Sequence, residues 1–307
     1  VLRPIVMLRL VGAFGFYWLV YQTWPWSLAA GIAAAAIWVA VVIAKPPCPT
    51  QSAPPQSVVA PIRPVVRQHL SISEQRKPAM SNPQPPLFEA AIGQLPPQIS
   101  KRSGSVFYSG PSAFEGHRRL YILGLNPGGS PVVQADETVA RDLSDWKELN
   151  RPWSAYLDES WQGRSPGTHG MQPRMRHMFD QLGLDLREVP ASNVVFVRSA
   201  NEAALAAEKA TLLPQCWPVH ETVIRKLGVR TILCLGGTAG RWVREAMGAN
   251  QLLDRFSEQN ARGWTSEAHV APDGRAVITV THPGRADWRN PAADPTPLVR
   301  AVLDRAA

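Results

Sequence analysis

Cysteine is scarce: Cys48, Cys216 and Cys234 are the three in 307 residues, too few and too scattered for a disulfide framework or a four-thiolate metal site. A reducing compartment is the default that follows. The Gly-Lys-Ser/Thr of a nucleotide-binding loop is missing, and His169, His177, His220 and His269 show no metal-ligand spacing with cysteines or carboxylates. Disorder throughout is excluded by a hydrophobic content of 45%. The formal charge of +8 would suit a polyanion partner, but seven of the 32 basic residues and only one of the 24 acids lie in residues 1–79. The remainder is close to neutral, so nucleic-acid binding there needs a local patch.

Residues 27–44 form an uncharged apolar run long enough to cross a membrane, and residues 5–22, interrupted by Arg9, form a poorer one. Residues 1–45 therefore read in one of two ways. They are a membrane hairpin whose basic flanks leave the rest of the chain on the cytoplasmic side of an inner membrane, or an extension ahead of a natural start at Met80. The second reading makes the protein cytoplasmic. Residues 46–104, rich in Pro, Ser and Gln without apolar periodicity, are expected to be a disordered linker.

Residues 105–307 have the texture of an alternating α/β domain. Apolar runs at 120–125, 194–197, 231–235 and 276–280 read as strands, and 173–184, 211–227, 238–247 and 297–305 as helices. Pro214 and Pro218 are expected in the first turns of their helix, and Thr238 as a cap. Four strands separated by helices predict a mainly parallel four-stranded sheet covered on both faces. In such sheets the chemistry sits beyond the strands' carboxyl ends, which singles out loops 126–131, 236–238 and 282–288.

Asn126 stands where the first strand breaks at Gly124-Leu125-Asn126-Pro127-Gly128, with a proline fixing one φ and glycine admitting a ligand near the backbone. Its amide could hold a water or a base, or merely close a local turn. His282 opens the turn after the last strand. Neutral imidazole there can donate to an oxygen that gains negative charge, although an isolated histidine is also often satisfied by a neighbour. Gly236-Gly237-Thr238 resembles half a phosphate cradle but reads more simply as close packing of strand and helix. Trp288 is the tryptophan best placed to touch a base.

In order along the chain, these segments resemble the uracil-DNA glycosylase superfamily from about residue 106 onward. Gly124-Leu125-Asn126-Pro127-Gly128 is similar to the first motif of the mismatch-specific and single-strand-selective branches. Gly167-Thr168-His169-Gly170, Gly183-Leu184-Asp185, Ser192-Asn193-Val194-Val195 and Leu233-Cys234-Leu235-Gly236-Gly237-Thr238 resemble the iron-sulfur branch. Thr281-His282-Pro283 with Arg289-Asn290-Pro291 resembles its second catalytic motif.

The resemblance implies a three-layer α/β/α sandwich that acts as a monomer, flips a damaged base out of DNA and hydrolyses its N-glycosidic bond. Asn126 would place the attacking water and His282 would hydrogen-bond the leaving base. Gly124, Leu125, Pro127, Gly128 and Asn193 would bind the base, with Asn193 reading its edge and Trp161 or Trp153 supplying a stacking face. Gly236, Thr238, Pro283, Gly284, Arg285 and Trp288 would meet the DNA. The chain departs from the iron-sulfur branch where Val197 replaces a cysteine and no Cys-x-x-Cys precedes the first motif, so neither an iron-sulfur cluster nor a metal or other cofactor is expected. Asp287 is an odd neighbour for phosphate. The rival readings are a glycosylase for another base, such as hypoxanthine, and a catalytically silent binding module tethered to a membrane.

Overall fold

A strand in the middle of an α/β sheet has to be buried along its whole length, and Leu120–Gly124 (β1) and Thr231–Leu235 (β3) are buried at every residue. In the computed structural model, which describes residues 92–93 and 95–305, these two strands pair in parallel. Ala191–Asn193 (β2) joins the outer side of β1, and Ala276–Val280 (β6) joins the far side of β3, both in parallel. A hairpin of Gln251–Ser257 (β4) and Thr265–Val270 (β5) continues the sheet antiparallel beyond β6. The order is β2-β1-β3-β6-β5-β4.

The architecture is thus an α/β fold with a six-stranded, mainly parallel mixed sheet flanked by helices, rather than a four-stranded one. The added hairpin has a physical reason to escape a search for apolar runs. β4 is an edge strand whose residues are exposed or half-buried, and Asp254, Arg255 and Glu267 interrupt both strands.

The helices are Pro97–Ser100 (α1), Val139–Lys147 (α2), Ala155–Asp158 (α3), Gln172–Leu182 (α4), Glu202–Ala206 (α5), Lys209–Leu227 (α6), Gly237–Met247 (α7) and Thr296–Arg305 (α8). Successive strand side chains point to opposite faces and so serve two cores. Tyr121, Leu123, Ile232, Cys234 and Val277 pack with Trp146 of α2, Val219 of α6 and Trp242 of α7. Leu120, Ile122, Leu233, Leu235 and Ile278 pack with Met178 and Phe179 of α4 and Val302 of α8.

Several expectations need correction. The apolar stretch 194–197 is not the strand; β2 ends at Asn193, and the four following residues are buried as an irregular continuation. Val194 and Val195 still donate to Gly124 O and Leu125 O at 2.8 and 3.0 Å, so the backbone stays satisfied outside a regular strand. α6 begins at Lys209, which places Pro214 and Pro218 in its interior. They withhold the N–H groups that would reach the carbonyls of Ala210 and Pro214. α7 is capped by Gly236 without a side-chain bond, and Thr238 lies inside the helix. Order also begins before residue 105: Ile99 is 1% exposed, and Gly104 bridges to Val197. The membrane-hairpin and Met80-start readings lie outside the described residues. No described helix is long and apolar enough to cross a membrane.

His220 in α6 braces the segment that carries Asn193. Its Nε2 lies 3.2 Å from Val194 O and its Nδ1 2.9 Å from the Tyr121 hydroxyl. A carbonyl can only accept, so Nε2 carries the hydrogen and Tyr121 donates to Nδ1. Burial pushes the imidazole down to about 4, against 6.5 for an ordinary histidine. As pH falls through 6.5 the unfolded chain takes up a proton that the folded chain refuses, so this contribution is full at neutral pH and lost on acidification. Urea-unfolding free energy is expected to fall by about 3 kcal/mol between pH 6.5 and 4 from this group. In His220→Gln, less stable at every pH, that part of the slope should disappear.

Candidate active site

Because β2, β1, β3 and β6 run the same way, their carboxyl ends form one edge of the sheet. Register keeps those ends level: Gly124 pairs with Asn193, Leu123 with Cys234, and Leu235 with Val280. The turn that begins at Asn126 and the turn that begins at His282 leave from β1 and β6, two strand spacings or about 10 Å apart. Between them β3 ends in Gly236-Gly237, which puts no side chain into the gap. Gly236 has φ 107°, a conformation that favours glycine, and a Cβ there would lie 3.4 Å from the Cδ2 of His282.

Asn193 sits at the end of β2, 5% exposed, with its Oδ1 against the α-carbon side of Gly124 where a side chain would collide. Its Nδ2 is buried and makes no hydrogen bond of regular geometry, the Tyr108 hydroxyl being the group it faces. A buried donor left wholly unpaired costs about 1–3 kcal/mol, so a weakly held one gains from a better acceptor on a ligand. Tyr108 approaches the same amide, carried there by the Phe107–Ser192 bridge and by a 2.8 Å bond from its N–H to Ala191 O. Burial, reinforced by Glu159, raises its phenol well above the usual range, so the hydroxyl keeps its proton. Tyr108 lies 6.0 Å from the Tyr156 ring, and Tyr156 lies 6.1 Å edge-on from Trp161. Trp161 is therefore two rings removed from Tyr108, and Tyr108 is the aromatic beside Asn193. Nothing in its own neighbourhood of the sequence signals this, since a strand bridge from a different segment puts it there.

Asn126 closes the local turn, the plainer of its two sequence readings. Its Nδ2 donates to Pro127 O at 3.0 Å and to Val197 O at 3.3 Å, which closes the local turn. Both partners are carbonyls, so the NH₂ must face them and the Oδ1 must face away. Pro127 is buried and Gly128 exposed. Arg198, with a side chain 11% exposed, holds this turn by donating to Gly128 O while pairing with Glu137 at 2.9 Å.

His282 accepts from Gly284 N–H through Nδ1 at 2.9 Å, which leaves the hydrogen of the neutral ring on Nε2. Burial first, and then the nearby Arg285, lower its pKa, with Glu202 opposing them. Glu202 comes from α5 and takes a hydrogen bond from Thr238, so Thr238 is engaged within the chain and not held free for phosphate. Arg174 donates to Pro283 O at 2.7 Å, and Arg262 from the β4–β5 hairpin donates to Arg285 O at 2.7 Å and to the buried Glu258 at 2.8 Å. Arg289, with Arg174, holds the Asp287 carboxyl far below the usual carboxylate range, so this anion is neutralised by the chain itself.

Trp288 requires the clearest correction. It is fully buried in the core and donates through Nε1 to Thr281 O at 3.2 Å, so it is a packing residue and not a DNA contact. Gly284 and Arg285 are the exposed members of this loop. Hollows of about 370 and 720 Å³, lined respectively by residues such as Arg176 and Leu186 and by Trp217 and Arg230, open elsewhere and do not include Asn126, Asn193 or His282. Cys216 and Cys234 are buried thiols, and no group of three potential metal ligands converges among the described residues. The chain matches no known family and no curated relative.

Removing the Trp288 side chain should cost about 3–5 kcal/mol in urea denaturation, because it empties a core position. Arg285→Ala, at the exposed tip of the same loop, should stay within about 0.5 kcal/mol of the wild type.

Proposed function

We propose that this protein is a DNA glycosylase of the uracil-DNA glycosylase type, which hydrolyses the bond between deoxyribose and a uracil, or a related base, flipped out of DNA. In this reading the helices on the two sides of the sheet are the outer layers of a three-layer α/β/α sandwich. The observation that carries it is the buried Nδ2 of Asn193, which makes no regular hydrogen bond and faces only the Tyr108 hydroxyl, and which shares one sheet edge with a neutral imidazole whose Nε2–H is free of the local turn. A base carbonyl is a better acceptor for Nδ2 than that hydroxyl.

The chemistry follows from what each group can hold. As the C1′–N bond breaks, its electron pair moves onto the base, and the Nε2–H of His282 stabilises the charge that collects on the base oxygen. Water adds to C1′, oriented by the outward Oδ1 of Asn126, and gives its proton to solvent. An amide cannot accept that proton as a base, so leaving-group stabilisation bears the catalysis. Tyr108 bounds the base beside Asn193. Hypoxanthine offers a similar carbonyl edge, so it is the second substrate to test.

His282→Ala should lower the rate of base release from uracil-containing oligonucleotides by about 10²–10³, the usual effect of losing a donor to developing charge. Asn126→Ala should also slow it, with circular dichroism unchanged in both and stability lowered only by the turn hydrogen bonds that each variant loses, about 1 kcal/mol apiece. Wild-type rates in both variants, or lesion binding without an abasic product in the unmodified protein, would remove the assignment. The pH profile is a second check. With the imidazole pKa lowered by burial, the rate should hold its plateau on acidification past 6.5, the ordinary histidine value. It should decline only when a second ring proton breaks the bond from Gly284.

A further inference from the structure

The amino ends of the parallel strands form the edge opposite the one that carries Asn126 and His282. Leu120 pairs with Thr231 and Thr231 with Ala276, so the residues just ahead of them, Arg119, Arg230 and Arg275, stand level on neighbouring strands about 4.8 Å apart. Backbone bonds fix the row. Arg230 N–H and Thr231 N–H donate to Arg119 O at 3.1 and 2.8 Å, and Ala276 N–H donates to Arg230 O at 2.9 Å. Leu120 and Ala276 belong to the core beneath α4 and α8, so alternation turns the row toward the face covered by α6 and α7. On that face Arg230 and Arg275 line a hollow of about 720 Å³ together with His117 and with Trp217, Glu221 and Arg225 of α6. Trp217, Glu221 and Arg225 follow one another at four-residue steps, hence on one side of the helix, with ~12 Å of helix axis between indole and guanidinium. Trp217 is half-buried, and its Nε1 donates to Glu221 at 3.0 Å, which anchors the ring by its edge.

Arg225, like Lys226, suits the carbonyl end of α6, but Arg119, Arg230 and Arg275 belong to no helix. Arg275 donates to Asp273 at 2.7 Å, whereas Arg119, Arg225 and Arg230 have no carboxylate partner among the described residues. Like charges on directly paired strand positions repel, and an anion laid across them relieves the cost. We propose that this hollow binds a nucleoside phosphate, with the base on Trp217, the phosphate on Arg225 and Arg230, and a hydroxyl or amino group of the nucleoside donating to Glu221. A guanidinium fork matches phosphate oxygens, an indole stacks on any base, and the volume suits a small organic ligand. Inorganic phosphate leaves the indole and the Glu221 carboxylate unused, and an uncharged ring leaves the arginines unused. A free nucleotide and the 5′ end of a strand offer the same groups. The site lies on the edge away from the proposed base release and does not rest on the glycosylase reading.

The test is isothermal titration calorimetry of the full chain with adenosine 5′-monophosphate, which should saturate. Adenosine alone and inorganic phosphate alone should each bind at least about tenfold more weakly, since each uses half of the hollow. The R225A/R230A double variant, changed only at exposed positions that leave folding intact, should bind the mononucleotide about tenfold or more weakly. Trp217→Leu should do the same, and if that variant unfolds the arginine variant decides. A 5′-phosphorylated oligothymidylate, titrated alongside, separates the two sources. If it binds more tightly than the mononucleotide and loses the advantage in R225A/R230A, the ligand is a strand end; if the mononucleotide binds more tightly, the ligand is a free nucleotide. Absence of saturable binding by both probes, wild-type affinity in either folded variant, or inorganic phosphate binding as tightly as the mononucleotide would each overturn the proposal.

Discussion

The parallel pairing of β1 with β2 and β3, and of β3 with β6, sets the level at which four separate turns leave the sheet. A shift of one residue in any pair would send each side chain of that strand to the other face and lower or raise its turn by a residue's length. The register also decides chemistry. Asn193 closes on Gly124 because the two are direct partners, and the absence of a side chain at Gly124 admits the Asn193 amide. The end of β3 stays bare between Asn126 and His282 for a related reason: Gly236 leans on the imidazole at a φ of 107°.

Given that frame, the turns are held by arginines acting inward. Arg198 grips Gly128 O, Arg174 grips Pro283 O and Arg262 grips Arg285 O, each with a carboxylate partner at Glu137, Asp287 or Glu258. Guanidinium groups suit this work because their planar fork serves a carbonyl and a carboxylate together. The consequence for function is that much of the positive charge near the edge is consumed in shaping it. Asp287, awkward as a neighbour for phosphate when read alone, belongs to this internal network. On the proposed reading, contact with a polyanion falls to exposed groups such as Arg285.

The sequence carried the centre of the sheet better than its edges. Leu120 to Gly124, Thr231 to Leu235 and Ala276 to Val280 were legible as strands because central strands in such sheets are continuous apolar runs. β4 and β5 were not, because an edge hairpin faces solvent and keeps charged residues. Val194 to Val197 misled for the opposite reason, being apolar enough for a strand yet spent on burial in an irregular segment. Trp288 misled likewise: a large aromatic between two charged residues in a loop is free to turn inward, and only the surrounding core shows that it does.

What the sequence determined alone was local: where strands break, that an amide and an imidazole stand at two of those breaks, and that no cysteine pattern competes for the chemistry. These follow from backbone sterics and side-chain chemistry within a few residues. The tertiary structure decided which nitrogen of His282 bears the hydrogen, which way the Asn126 amide faces, that the buried Asn193 amide makes no regular hydrogen bond, and that Tyr108 stands beside it. Each of these depends on pairing between segments far apart in the chain or on how a turn settles against the sheet, and proximity of that kind has no signature in the order of residues.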